Sequence, residues 1–475
     1  MSRVLAFGPA ARRAVQTAAT LALLAGGGGL GATARAEPAG SPAARTEAPA
    51  AEAMIPALAQ RQDALEAQGF MVRGQATFVL QGHPAFRSPY QGAGSLTPAA
   101  QARNTLSADL VLGVRPWRGA ELILDTQVSR GFGLSGTTGV ASFPNGEAFR
   151  LGTENLVGYV PRAFLRQTIA LSATTVPGDD EDPLRFRGPL PAERITVTAG
   201  KVSVFDIFDD NRYAHDPRTQ FLSWGLVSAG AFDFAADARG YTNGVAVEYD
   251  APWGGFRAGA FQVARYINSL SLDPQPFNGY QLLLQADRFY QAGGRPGAIR
   301  LLYGFSRTRS QNWNELLDGD LADTSQNPAG YRTKNMLALN WEQEVADDLG
   351  VFARLSWNDG RGQNWMFTEQ DRAVSLGVQM SGARWDRPRD TVGLGTNLGF
   401  ISGGRQDFLA RGGIGFITGD GRLAYAPEWA SELYYDARVA PGLNVMLGGT
   451  LVANPAYNAD RGPVGILSAR LRIAF

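Results

Sequence analysis

The sequence predicts an all-β protein: a transmembrane antiparallel β-barrel of about sixteen strands, with long extracellular loops and short periplasmic turns. Three observations predict it. Apolar and polar residues alternate along segment after segment, the period of a strand whose two faces meet different surroundings. Tight turns and long polar loops take turns between those segments. The last segment, Pro463 to Phe475, is itself an amphipathic strand that ends on an aromatic residue.

Taken from the N-terminus, residues 1–36 read as a secretory signal peptide. Arg3, Arg12 and Arg13 form a positive start, Ala14 to Leu30 is small and apolar, and Ala34-Arg35-Ala36 supplies a small-residue cleavage site. A membrane anchor helix is the competing reading, weakened by Gly26 to Gly29 and by the short apolar core. Residues 37–68 form an Ala/Pro-rich spacer, with a short amphipathic helix expected over Met54 to Gln68 from the helical spacing of Ile55, Leu58 and Leu65. Residues 69–475 form the barrel.

Within 69–475 the alternation is explicit. Phe70, Val72, Ala76, Phe78 and Leu80 oppose Arg73, Gln75 and Thr77. Leu106, Ala108, Leu110 and Leu112 oppose Ser107 and Asp109, and Leu122, Leu124 and Val128 oppose Glu121, Asp125 and Gln127. Leu337, Leu339 and Trp341 oppose Asn340, Glu342 and Glu344. Trp429, Leu433 and Tyr435 oppose Glu428, Glu432 and Asp436, and Leu467, Leu471 and Ile473 oppose Ser468, Arg470 and Arg472.

A soluble sandwich alternates too, so the connections carry the distinction. Arg115–Gly119, Ala251–Gly254, Ala346–Gly350 and Arg438–Gly442 are tight turns. His83–Thr105, Gly131–Val160, Thr308–Arg332 and Gly403–Ala426 are long and polar. That is a cylinder with unequal ends. Trp117, Tyr249, Trp253, Trp341, Trp357, Trp385 and Trp429 fall near strand ends, as interfacial girdles require.

Composition removes several function classes. Lys+Arg and Asp+Glu are 44 each, so the basic excess of a nucleic-acid binder is missing. Without residues 1–36 the balance is 40 bases to 44 acids. There is no Cys and there are two His, His83 and His215, which argues against a disulfide scaffold, a thiolate or multi-histidine metal site and a thiol nucleophile; no cofactor is expected. Gly178–Pro183 reads as a solvated acidic turn, and Asp318–Asp323 lacks the third ligand and the Gly of a calcium loop. Gly413–Gly419 misses the dinucleotide spacing by one residue.

Several longer segments carry a resemblance. Thr198–Arg218, Phe232–Thr242, Asn340–Glu344 with Asp348–Arg354, and Asn454–Val464 are similar, in that order, to segments of the carbohydrate-selective porin family (OprB type) of Gram-negative outer membranes. The resemblance spans 69–475. It implies a sixteen-stranded porin whose narrowed channel admits monosaccharides such as glucose by passive diffusion. It also implies that the polar loop Phe205–Phe221 folds into the channel, with Asp206, Asp209, Asn211, Arg212 and His215 as constriction candidates.

Alternation by itself points Arg73, Asp109, Glu121, Asp125, Arg162, Arg166, Glu248, Asp287, Arg300, Glu342, Glu344, Arg354, Glu428, Glu432, Asp436, Arg470 and Arg472 into the lumen. Arg forks donate and carboxylates accept, which suits a polyhydroxylated solute, and a lining of both signs favours neutral solutes over either ion class. Arg73, Glu121, Asp125, Arg162, Arg166, Glu342, Arg354, Glu432 and Arg470 are the channel-lining candidates. Arg166, Glu121, Asp125, Arg354 and Glu342 are placed at the narrowest point because each sits inside a strand. The expected partners are outer-membrane lipid and neutral monosaccharides, in a monomer or homotrimer, with no nucleic acid. Two other classes compete: a structural anchor or adhesin without sugar selectivity, and a barrel hydrolase drawing its base from His83 or His215.

Overall fold

The computed structural model describes residues 56–475 apart from positions 150, 320, 322–329 and 420. The expected leader at 1–36, the spacer up to 55, and Asp320 and Asp323 of the discarded calcium loop lie outside the described residues. Sixteen strands close into one antiparallel barrel. In chain order they are β1 (Phe70–His83), β2 (Gln101–Val114), β3 (Ala120–Gly131), β4 (Thr153–Ala170), β7 (Arg194–Val202), β8 (Thr242–Ala251), β9 (Gly254–Gln262) and β10 (Tyr280–Ala292). They continue as β11 (Arg295–Thr308), β12 (Arg332–Ala346), β13 (Leu349–Asn358), β14 (Arg372–Gly382), β15 (Arg387–Phe400), β16 (Glu428–Ala440), β17 (Leu443–Ala453) and β18 (Val464–Ala474). A separate two-stranded ribbon, β5 (Thr175–Val176) with β6 (Leu190–Pro191), interrupts the meander between β4 and β7.

Closure pairs β1 with β18 from Gln75↔Ala474 to Gly82↔Leu467. Beyond it, Phe475 and Gly74 exchange two backbone hydrogen bonds of 2.9 and 3.0 Å. The Phe475 ring lies where a Cβ on Gly74 would stand, so the seam needs glycine there. A closed sheet leaves no unpaired edge for lipid to meet.

The pleat sorts the residues as their alternation predicts. Leu80, Leu110, Leu122, Leu376, Leu394, Leu433 and Leu467 are exposed on the outer wall, while Asp125, Arg354, Glu432 and Arg470 are buried within. Trp117, Trp253, Trp357 and Trp429 are exposed, and none of the seven girdle aromatics is buried. Trp117 and Trp253 lie in short turns; Trp357 and Trp429 stand at the long-loop ends of β13 and β16. They therefore mark two belts.

Four features depart from the sequence reading. β2 starts at Gln101 and β4 at Thr153, inside segments expected as loop. The helix Gly403–Ala410 occupies part of another expected loop. The inward loop is longer than Phe205–Phe221: it runs over 203–241, and Val204, Phe208, Phe221, Leu226, Phe232 and Phe234 are all buried. Burying that much apolar surface inside a polar cylinder gives the loop its own core, which fixes its position in the lumen. At the other end, the helix Pro56–Ala67 is tied down by polar side chains. Gln62 donates to the Val72 carbonyl at 3.0 Å and Glu66 pairs with Arg73 at 2.5 Å, while Leu65 stays exposed.

Candidate functional site

The charged side chains that face the lumen cluster rather than form one ring; besides Arg257 with Glu248, Asp250 and Asp287 on β8–β10, three groups stand out. The first binds the inner loop to the wall β12–β13. Asp209 meets the Arg354 Nε at 3.2 Å and accepts from Asn340 Nδ2 at 2.7 Å. Asn211 donates to Asn340 at 2.7 Å, and the Arg212 backbone N–H donates to Glu342 at 2.7 Å. Arg354 also donates to the Leu226 and Ala214 carbonyls at 2.9 and 2.7 Å. Tyr213 packs over the wall at Gly350, where its ring fills the space a Cβ would take.

The same device recurs on β16 and β18. Glu432 accepts the Leu222 and Ser223 N–H groups at 2.7 and 2.8 Å. Arg470 donates to the Pro217 and Gln220 carbonyls at 2.6 and 2.7 Å and to Asp436 at 2.7 Å. Glu428 accepts from Ala141, Ser142 and Ala456 at 2.8, 2.7 and 2.8 Å. Buried loop N–H and C=O groups must be paired, and these wall side chains pair them. Arg354, Glu432 and Arg470 are therefore covered by the loop, with 1, 2 and 1 % of their surface exposed.

A second group gathers at the short-turn end. Arg166 pairs with Glu121 at 3.1 Å and donates to the Leu184 carbonyl at 2.9 Å, and Arg115 reaches Glu121 at 3.1 Å. Arg73 belongs to the same end through Glu66.

The third group lies between the wall β2–β4 and the inner loop. Arg162 grips Asp206 side-on, with Nε and Nη2 each 2.7 Å from a carboxylate oxygen, and reaches Asp125 at 3.0 Å. Its guanidinium lies 5.1 Å from the Tyr241 ring centre, and that of Arg239 lies 4.2 Å from Tyr159. The two tyrosine rings are 6.3 Å apart. Arg218 bridges Asp109 at 2.5 Å and Glu147 at 2.8 Å, while Tyr159, Gln127 and Asp109 form a hydrogen-bonded chain. In the loop, Asp216 is held below the usual carboxylate value of 3.8. Burial pushes it up, but the Arg218 N–H bond and the Arg218, Arg472 and Arg470 cations overrule that. His215 stacks on Phe205 at 5.2 Å, and His83 is bonded to Pro84 and Gln101 at 2.8 and 2.9 Å.

The sequence reading finds Asp125, Arg162 and Asp206 of this group among its candidates and misses Tyr159, Tyr241, Arg239 and Glu147. Tyr159 has a specific cause. Asp125 pairs with Arg162 but Gln127 pairs with Tyr159, so Val160 and Pro161 together oppose Thr126. This β-bulge shifts the parity of β4 and turns both Tyr159 and Arg162 inward. Pro161, which has no N–H to give the ladder, is the one local signal.

A closed sixteen-strand barrel with an apolar exterior, an ionic lumen and an inward loop is the build of a diffusion channel. The sequence matches the family model of the carbohydrate-selective porins, OprB family, over residues 93–475. The chain belongs to the OprB family. Among solved structures, the high-pH form of Pseudomonas putida OprB superposes with a TM-score of 0.65 at 15% identity, covering 89% of this chain and 98% of that one. Its low-pH form gives 0.49 at 13% identity over the same shares. A mutant porin of Rh. blastica gives 0.39 at 11% identity, over 86% of this chain and 100% of that one. No curated protein matches the sequence. This OprB-family chain is thus an outer-membrane channel selective for carbohydrates, with membrane lipid outside and sugar as its cargo.

Proposed function

We propose that this porin passes neutral monosaccharides such as glucose by passive diffusion, and that its mixed-charge passage sets the preference. The observation that supports this is the third group. The Arg162–Asp206 fork and the Arg218–Asp109–Glu147 bridge place donors and acceptors beside the faces of Tyr159 and Tyr241. A pyranose has the same two-part surface, with hydroxyls around its rim and C–H groups on its faces. Because Arg162 and Arg218 are each paired with two acids, a neutral solute meets hydrogen-bonding groups whose charges largely offset one another. Export through a cleaved leader at 1–36 fits an outer-membrane destination.

Passage requires exit as well as entry, so contact with the sugar is weak, about millimolar at best. Liposomes carrying purified protein should swell faster in glucose than in gluconate at equal osmolarity. Equal rates, or micromolar glucose binding by calorimetry, would overturn the proposal.

A further inference from the structure

At the short-turn end, where an outer-membrane barrel meets the periplasm, most connections are tight. The link between β4 and β7 is the exception. Residues 171–193 leave the wall, form the β5–β6 ribbon as a neck, and project a tip that folds back into the mouth. Phe186 at the tip is 2% exposed. It shares the space above Gly113 with Met71 and Ile123, all three within 3.0 Å of where a Cβ would stand. Arg115 caps its ring at 4.3 Å. Arg187 binds Asp63 of the helix Pro56–Ala67 at 2.6 Å, and its N–H donates to Glu66 at 3.1 Å. From there Glu181 reaches Arg438 at 3.9 Å. Arg438 is on β16, which lies beyond β3, β2, β1, β18 and β17 in strand order. The tip is therefore a strap lying across a large part of the exit.

We infer that residues 171–193 form a second, exit-side size filter, hinged at the β5–β6 neck and latched by Glu181 on Arg438. The inference deepens the reading of the chain as a sugar channel and rests on it. The inner loop narrows the lumen from the long-loop side, and the strap narrows it again where solute leaves. The one-sided build supports this. The hinge side of the tip is fastened by a buried ring, one short ion pair and a backbone N–H bond to Glu66. On the far side Glu181, with about half of its side chain exposed, reaches Arg438 across a long 3.9 Å, and exposed pairs of this kind hold weakly.

The chain has no cysteine, so a Glu181→Cys/Arg438→Cys pair can be bridged selectively with a short bis-maleimide. Single-channel conductance in potassium chloride and liposome swelling in sucrose are measured for the native protein, for Arg438→Ala, and for the cysteine pair before and after bridging. Arg438→Ala and the unbridged pair should conduct roughly 1.5- to 2-fold more than native and swell faster in sucrose, with bridging restoring native values. Identical conductance and sucrose rates before and after bridging would overturn the filter. A conductance change in proteins that fail to swell preferentially in glucose would uphold the strap and remove the sugar reading instead.

Discussion

Arg162 shows how one side chain can serve the passage without leaving it charged. Its fork is spent on Asp206, its remaining nitrogen on Asp125, and its face on Tyr241. Replacing it with Ala leaves two carboxylates without their cation. A unit charge about 10 Å from a permeating ion in water contributes about 0.4 kcal/mol, roughly twofold in local concentration. Arg162→Ala should therefore raise cation over anion permeability about twofold, read from the reversal potential in a potassium chloride gradient. Tyr159→Ala should leave that potential unchanged and slow glucose entry relative to an equally small polyol, because it removes a stacking face and no charge. Arg162 was open to sequence reasoning because a charged residue in an alternating segment must avoid lipid. Its neighbour Tyr159 was hidden, since an aromatic ring suits either face and only the bulge at Val160–Pro161 turns it inward.

For the elements, the strands were legible and the loops were not. A strand of period two with one greasy face has a single register that suits lipid, and this fixes β1, β3, β12, β16 and β18 from residues alone. The loop 203–241 obeys no period. Its place depends on which wall acids meet its N–H groups, a long-range match that leaves no local trace. For this reason Arg354 and Glu432 read as solute contacts in the sequence and prove to be loop anchors. The acidic turn Gly178–Pro183 does keep Asp179 and Glu181 exposed, while the fastening of its segment through Phe186 and Arg187 leaves no local trace. Removing one partner of a buried pair costs about 3–5 kcal/mol. Arg354→Ala should thus release the inner loop, seen as faster proteolysis within 203–241 and a noisier, larger conductance, with the barrel strands intact by circular dichroism. A quiet channel of native size would contradict that role.

The whole molecule inverts a soluble protein, with its oil outside and its ions within. The exterior tolerates no charge near mid-depth, and Leu394 near the centre of β15 is 51% exposed there and pairs with Leu433. Leu394→Arg should cost about 2–4 kcal/mol in a urea titration of the liposome-inserted protein. Arg at the already exposed Trp117, in a short turn at the boundary, should cost about 0–1 kcal/mol.

The wall holds the inner loop largely by main-chain atoms: the N–H groups of Arg212, Leu222 and Ser223, and the carbonyls of Ala214, Pro217, Gln220 and Leu226. Every amino acid except proline offers those same two groups. Descendants of this gene can therefore rewrite the loop side chains that border the bore, and so change diet, while the moorings stay put.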